Sequence, residues 1–267
     1  MESHVKAGAQ LIDRTVLILD LVANSRGEGV TLKDLCEWTG LNKATCHRIL
    51  SSLVGHALLS KADKGRRYRL GTKLLVYGAK AANGPGLRSQ FQPALQRLRD
   101  ATGETAVLMA RDQDDSVCID RRDGECLVQT LTGSIGGSVP LGVGPGSLAM
   151  LSFFDEPERI AVVERNVTRF SAYAALNETR VKELVMETAA QGYALDRGEL
   201  IVGVSGISVP IAAVESGPLA SLGLTFLAAR LTPQLIEEYV GLLRAEVERI
   251  QPHLNPLDRN LASPGRM

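Results

Sequence analysis

The sequence predicts two domains of different class: an all-α/winged helix-turn-helix N-terminal domain, then a larger α+β domain. Three observations predict this. The first eighty residues read as three short helices and a basic hairpin, in that order. After Gly103 the apolar period changes from helical to alternating, and strands then interleave with helices. Charge divides unevenly between the two parts, although the 267-residue chain is formally neutral.

The first helix is expected from Asp13 to Ala23. Asp13 serves as N-cap, and Leu17 and Leu21 form an i,i+4 stripe within Ile12, Val16, Leu19 and Val22. Ser25 to Gly29 ends it. Thr31 caps a second helix, Leu32 to Trp38, with Asp34 completing a capping box. Leu32, Leu35 and Trp38 are its expected buried face. Thr39-Gly40 makes the tight turn, because glycine accepts positive φ. Asn42 begins the third helix, which runs to about Leu53. Its side chain can accept from the N–H of Ala44 or Thr45. Ile49, Leu50 and Leu53 point inward, so Lys43, Ala44, Thr45, His47, Arg48 and Ser51 occupy the other faces. Small and hydrogen-bonding residues at that end suit entry into a DNA major groove. Ala44 permits close approach, and its methyl can meet a thymine methyl. Arg48 suits guanine or phosphate, while Thr45 and Ser51 suit phosphate.

Leu58 to Lys61 and Arg66 to Leu70 flank Ala62-Asp63-Lys64-Gly65, a β-hairpin pattern. Lys64, Arg66, Arg67 and Arg69 cluster at its tip and return strand. Residues 42–80 hold nine Lys and Arg against one acid, Asp63. A solvated basic face explains the charge equally well on its own. The order of helix, glycine turn, helix and basic hairpin favours double-stranded DNA, with Thr31 counted among the contacts.

Residues 1–80 carry 13 Lys and Arg against 7 Asp and Glu, out of 30 and 30 in the chain, which leaves 17 against 23 for the rest. That pattern implies a basic module that meets an anion and an acidic module that does not. No stretch approaches the ~20 apolar residues of a membrane span, and the N-terminus lacks a signal-peptide pattern. Cys36, Cys46, Cys118 and Cys126 lack metal-ligand spacing and read as reduced thiols of a cytoplasmic protein. No cofactor is expected.

The run from Thr31 to Leu75 resembles the winged helix-turn-helix of the IclR family of bacterial regulators. The matching residues are Gly40, Leu41, Lys43, Thr45, His47, Arg48, Ile49, Leu50, Leu53 and Tyr68-Arg69-Leu70-Gly71. Ala44 and Ala57 replace the family's usual Ser and Tyr. The resemblance continues through Thr102-Gly-Glu-Thr105, Gln191-Gly-Tyr-Ala194 with Asp196, Gly203-Val204 and Val209-Pro210. It implies a GAF-like sensor domain, a dimer or tetramer, and dimer contacts through the DNA-binding domains and linker helix. The expected boundaries are 9–71 for DNA binding, 72–86 for a linker helix and break, 87–252 for the sensor and 253–267 for a tail.

Within the second domain a helix is expected from Leu87 to Ala101, with Leu95 and Leu98 inward and Pro93 bending it. Strands are expected at Thr105–Ala110, Ser116–Asp120, Cys126–Leu131, Tyr193–Asp196, Gly206–Ala212 and Leu219–Phe226. Helices are expected near Pro145–Phe154, Glu156–Arg165, Glu178–Gln191 and Pro233–Ile250.

Catalytic constellations are missing. Gly203-Val-Ser205-Gly206 fails GxSxG spacing. No histidine lies between His56 and His253, so a histidine base is not expected in the sensor. Gly142-Val-Gly-Pro-Gly-Ser147 lacks the Lys of a phosphate loop, and Pro145 removes a donor. Its glycines instead permit close backbone approach, where free N–H groups could hold a carboxylate.

The family resemblance implies an effector pocket at this segment, at Asp196, and at the positions of Gly206, Gly223 and Thr225. The family's His, Lys, Cys and both Ser are absent there, with the Thr225 hydroxyl the one left of the last three. The expected lining is Met109, Gly142, Val143, Gly144, Pro145, Asp196, Gly206, Ser208, Gly223 and Thr225. These changes predict a roomier, less polar pocket for an aromatic or alicyclic acid. The competing explanation is that Gly206 and Gly223 are tight sheet positions. The leading function is therefore a ligand-responsive transcriptional regulator controlling a catabolic cluster through a small organic acid. The alternatives are a metabolite-processing enzyme with a DNA-binding appendage and a DNA-binding protein with a non-responsive sensor.

Overall fold

The computed structural model describes residues 10–25, 29–62, 66–82, 87–126, 128–173, 176–213 and 217–254. The chain divides into two compact units, 1–84 and 85–267.

In the first unit α1 spans Gln10–Ala23, so Asp13 lies inside the first turn and is not the N-cap. A favourable helix-dipole interaction is what remains for its carboxylate. The buried i,i+4 pair is Ile18 and Val22, one residue on from the expected stripe; Val16 and Leu17 are exposed. A short strand not expected from sequence, β1 (Val30–Thr31), precedes α2 (Leu32–Thr39). The Thr31 hydroxyl accepts from the Asp34 N–H at 3.2 Å, and the Asp34 carboxylate accepts from the Thr31 N–H at 3.0 Å. Leu35 is buried on α2, with Leu32 and Cys36 packed beside it. That stripe turns Trp38 outward, to 56% exposure, contrary to its expected place in the core.

Gly40 takes φ 66° and returns its N–H to the Cys36 carbonyl, ending α2. Then α3 (Lys43–Gly55) buries Cys46, Ile49, Leu50 and Leu53, an i, i+3, i+4, i+7 face. Strands β2 (Leu59–Ala62) and β3 (Arg67–Leu70) pair antiparallel, and β1 joins the free edge of β3. The hairpin tip, with Lys64, lies outside the described residues. Helix α4 (Thr72–Ala82) follows, with Leu75, Val76 and Tyr77 exposed.

The second unit opens with α5 (Leu87–Thr102), which buries Phe91, Ala94, Leu95 and Leu98 and holds Pro93 within it. Next come β4 (Thr105–Asp112), β5 (Asp115–Arg122) and β6 (Ser138–Pro140). Helices α6 (Pro145–Leu151), α7 (Glu156–Phe170) and α8 (Glu178–Gln191) precede β7 (Ala194–Ile201), β8 (Val204–Ala213) and β9 (Gly217–Leu227). Helix α9 (Pro233–Ile250) completes the unit. The sheet is antiparallel, in the order β6-β5-β4-β9-β8-β7.

Strand alternation sends two sets of side chains to opposite faces. Leu108, Ile207, Leu222, Leu224 and Phe226 pack with α5 and α9. Val107, Met109, Cys118 and Val139 pack toward α6, with α7 and α8 beyond it. Burying both faces under helices explains why the strands read as long apolar runs.

Residues 126–131 do not form the expected third strand; those described are bend, coil and turn. Val128 and Thr130 are buried between more exposed neighbours, which imitates a strand pattern. The edge of β5 is instead taken by β6, through Asp115–Val117. One buried face creates the alternation, but a strand also needs a partner for its backbone.

Candidate functional site

Two surfaces carry the residues singled out from sequence, one in each unit. On α3 the Asn42 side chain accepts from the Thr45 N–H at 2.9 Å, closing the helix start. Inward anchoring by four buried residues turns Lys43, Ala44, His47, Arg48 and Ser51 to solvent, with Thr45 half-buried. Among the described residues no hydrogen bond or ion pair engages Lys43 or Arg48, so both cations are available. His47 Nδ1 lies 3.5 Å from Ser51 Oγ, one turn along the same face.

Thr31 is differently placed. Its hydroxyl also donates to Asp34 Oδ2 at 2.8 Å, and these bonds hold the Asp34 carboxyl below its usual range. Thr31 thus orders α2 before it offers anything to a phosphate. The two hairpin arginines also differ. Arg66 is exposed, whereas half-buried Arg67 donates from Nη1 to the Gly29 carbonyl at 2.9 Å and so fastens β3 to the residue before β1.

The second surface is a cleft between the sheet and α6, spanning about 460 Å³ including the solvent at its open mouth. Met109, Val143, Gly144, Pro145, Gly206, Ser208, Gly223 and Thr225 all line it. Gly142 does not. Its N–H donates to the buried Ser147 Oγ at 2.9 Å, and a Cβ there would press on Val181 and Phe170. Asp196 lies in an adjoining recess of about 290 Å³ that shares Thr130, Pro145, Gly206 and Thr225 with the cleft. Its Oδ1 accepts from the Gly198 and Glu199 N–H groups at 3.2 and 3.0 Å. Burial nevertheless pushes its carboxyl above the usual range, and the backbone donors offset this only in part.

The two sheet glycines do not enlarge the cleft. A Cβ on Gly206 would stand 3.1 Å from the Pro145 ring. A Cβ on Gly223 would overlap the Ser208 hydroxyl and come within 2.8 Å of the Ile207 carbonyl. Ser208 and Gly223 are cross-strand partners. The hydroxyl missing from position 223 is therefore presented by the neighbouring strand, from almost the same place. Space comes instead from an apolar lining that includes Val107, Leu131 and Val139, with no charged side chain among the described residues.

Sequence reasoning missed the wall formed by Thr130, Leu131 and Thr132. Arg121 anchors it: Nη1 donates to Thr130 Oγ1 at 3.2 Å and to the Gly133 carbonyl at 2.9 Å, and Nη2 pairs with Asp123. The side chain is 14% exposed. Burial raises the nearby Cys118 thiol, and the Arg121 charge opposes that rise. The expected strand stops at Asp120, one residue short of Arg121, and only the fold shows that β5 reaches Arg122 and what Arg121 holds. No described helix is long and apolar enough to cross a membrane.

Comparison with known proteins agrees with this layout. The IclR helix-turn-helix domain matches residues 11–63, and the bacterial transcriptional regulator IclR C-terminal domain matches 79–251. The HTH-type transcriptional regulator XynR of Escherichia coli is 28% identical over 223 residues, covering 83% of this chain and 88% of its own. The Escherichia coli transcriptional repressor IclR is 23% identical over 236 residues, covering 88% and 86%. An IclR regulator from Alicyclobacillus acidocaldarius superposes with TM-score 0.79 at 24% identity, over 91% of this chain and 98% of that one. An IclR homologue from Microbacterium hydrocarbonoxydans, solved with 4-hydroxybenzoate, gives 0.75 at 19% identity, over 91% and 100%. A helix-turn-helix unit joined to an α+β unit, each matched by its own family domain, shows that the chain belongs to the IclR family of bacterial transcriptional regulators.

Proposed function

We propose that this regulator reads operator DNA with the outer face of α3, and that a small carboxylic acid with an aromatic or alicyclic body controls it from the cleft beside α6. The observation that carries the ligand class is the lining: apolar walls, hydroxyls from Thr130, Thr132, Ser208 and Thr225, and no charged side chain among the described residues. A two- or three-carbon acid leaves such walls unfilled. A ring in contact with Met109, Val143 and Pro145 buries apolar surface at about 25 cal/mol per Å². The 4-hydroxybenzoate bound by the Microbacterium hydrocarbonoxydans homologue supports the same class.

In this reading residues 9–71 bind DNA, 72–86 connect, 87–252 sense and 253–267 form a tail. The working unit is a dimer or tetramer whose paired helices meet two half-sites. Ligand binding shifts an equilibrium between two arrangements of the assembly, through different affinities for each. The regulated genes belong to a catabolic cluster.

A thermal-shift screen of carboxylic acids tests the ligand class, because a ligand adds RT ln(1 + [L]/Kd) of stability. Aromatic or alicyclic acids are expected to raise Tm and to change the mobility shift on the protein's own upstream DNA. Tight binding of glyoxylate or pyruvate, with no response to ring acids, overturns the assignment.

A further inference from the structure

We propose that Arg121 and Thr130 together give the cleft its preference for an anion: the effector's carboxylate is received by the Thr130 hydroxyl, with the Arg121 guanidinium directly behind it. This rests on the small-acid reading above and adds where the acid group sits and what supplies the positive charge.

The cleft poses an electrostatic difficulty. An acid entering it meets no cationic side chain in the lining, and it loses water on the way in. The compensating charge has to come from just outside the wall. Val107 and Met109 line the cleft, and their partners across β4 and β5 are Arg121 and Cys118. Cross-strand partners share a face, so Arg121 rises from the cleft side of the sheet. It reaches Thr130 Oγ1 at 3.2 Å.

The direction of that hydrogen bond decides the chemistry. A guanidinium only donates, so Thr130 Oγ1 is the acceptor. Its own hydroxyl proton then remains for a second partner. A threonine held in this way is a donor polarised by a cation, and its complement is an acceptor such as a carboxylate oxygen. Thr130 borders both the cleft and the Asp196 recess, so the donor stands where the two meet.

Asp123 offsets part of this charge from the more exposed side, 54% against 14% for Arg121, while the Arg121 Nη1 donor stays directed at the wall. The Arg121 Nε–H is also buried without a partner among the described residues, which leaves donor capacity beside the wall. The other arginines of β4 and β5 are engaged differently. Arg122 binds the fully buried Asp120, and Arg111 binds Glu158.

The test is calorimetry on the full chain with matched acids and primary amides: benzoate with benzamide, 4-hydroxybenzoate with its amide, and cyclohexanecarboxylate with its amide. The wild type is expected to prefer the acid by about tenfold or more, the usual effect of a charge-assisted hydrogen bond. Thr130→Val keeps the side-chain shape and leaves Arg121 its bond to Gly133. It is expected to bring acid and amide within about threefold of each other, while Thr130→Ser keeps the preference. Arg121→Met is expected to weaken the acid and spare the amide, with Arg121→Lys intermediate. A merely structural role would weaken both ligands alike. If Arg121→Met does not fold, Thr130→Val alone decides. Retention of the full acid preference in Thr130→Val overturns the proposal and leaves the small-acid reading intact. A wild type that binds none of these acids overturns both.

Discussion

Replacing Arg48 with alanine is expected to weaken operator binding without weakening the fold. Arg48 stands on the exposed face of α3, with no intramolecular partner among the described residues, so its loss is expected to change stability by no more than about 0.5 kcal/mol. If the guanidinium pairs with one guanine, binding loses roughly 1–3 kcal/mol, about 5- to 150-fold in Kd. That loss is specific to one base pair, and operators altered there bind the variant nearly as well as the original.

Arg66→Ala separates this effect from a charge effect. A lost phosphate contact lowers the salt slope by roughly 0.9, so a fourfold rise in salt narrows the difference from wild type by roughly 3.5-fold. Arg67→Ala behaves differently again. It removes the 2.9 Å bond to the Gly29 carbonyl and is expected to cost about 0.5–1.5 kcal/mol of fold stability. The assay is fluorescence anisotropy on labelled upstream DNA, across a salt series and a set of single-base operator variants. If Arg48→Ala lowers only the salt slope and keeps base preference, Arg48 is a phosphate anchor and the groove-reading role is refuted.

Three further outcomes follow from local geometry. Asn42→Ala removes the cap on Thr45 and is expected to cost the N-terminal unit about 1 kcal/mol, followed by the fluorescence of Trp38, the chain's single tryptophan; an unchanged melt would mean that the cap contributes nothing. Gly223→Ser places a Cβ into Ser208 and is expected to destabilise by about 1–3 kcal/mol, with partial recovery in the Ser208→Gly background; a urea midpoint equal to wild type contradicts the close contact. Tyr239 donates to the buried Glu104 carboxylate at 3.1 Å, and burial pushes its hydroxyl from 10.0 up to about 12. The unfolded chain therefore loses this proton first. Stability present below pH 10 drains away between pH 10 and 12, by roughly 2–3 kcal/mol at most. Urea titrations across that range are expected to show a smaller loss for Tyr239→Phe, and equal losses refute the assignment.

How much was legible depended on whether the cause was local. The α2 capping box, the Gly40 turn and the Asn42 cap each need only a few consecutive residues, and each formed where expected. Trp38 went wrong because a short helix has room for one buried stripe, and Leu35 with Cys36 took it. Residues 126–131 went wrong because burial alternation does not require a strand partner. Eight of the ten residues expected around the pocket line one cleft, because Val143–Ser147 and strands β4, β8 and β9 carry most of its lining. Its polarity was not. Substitutions at positions 206 and 223 suggested extra room, but Pro145 and Ser208 fill that space from other elements.

By itself the sequence determined the two fold classes, the helices and most of the strands, and the basic outer face of α3. Apolar period, caps and charge are properties of neighbouring residues, so they survive without knowledge of the fold. Only the tertiary structure decided that Ser208 stands over Gly223, that Arg67 serves the backbone while Arg66 is exposed, and that Arg121 backs Thr130 at the cleft wall. Those are contacts across strands and loops, set by register, and a linear pattern does not contain the register.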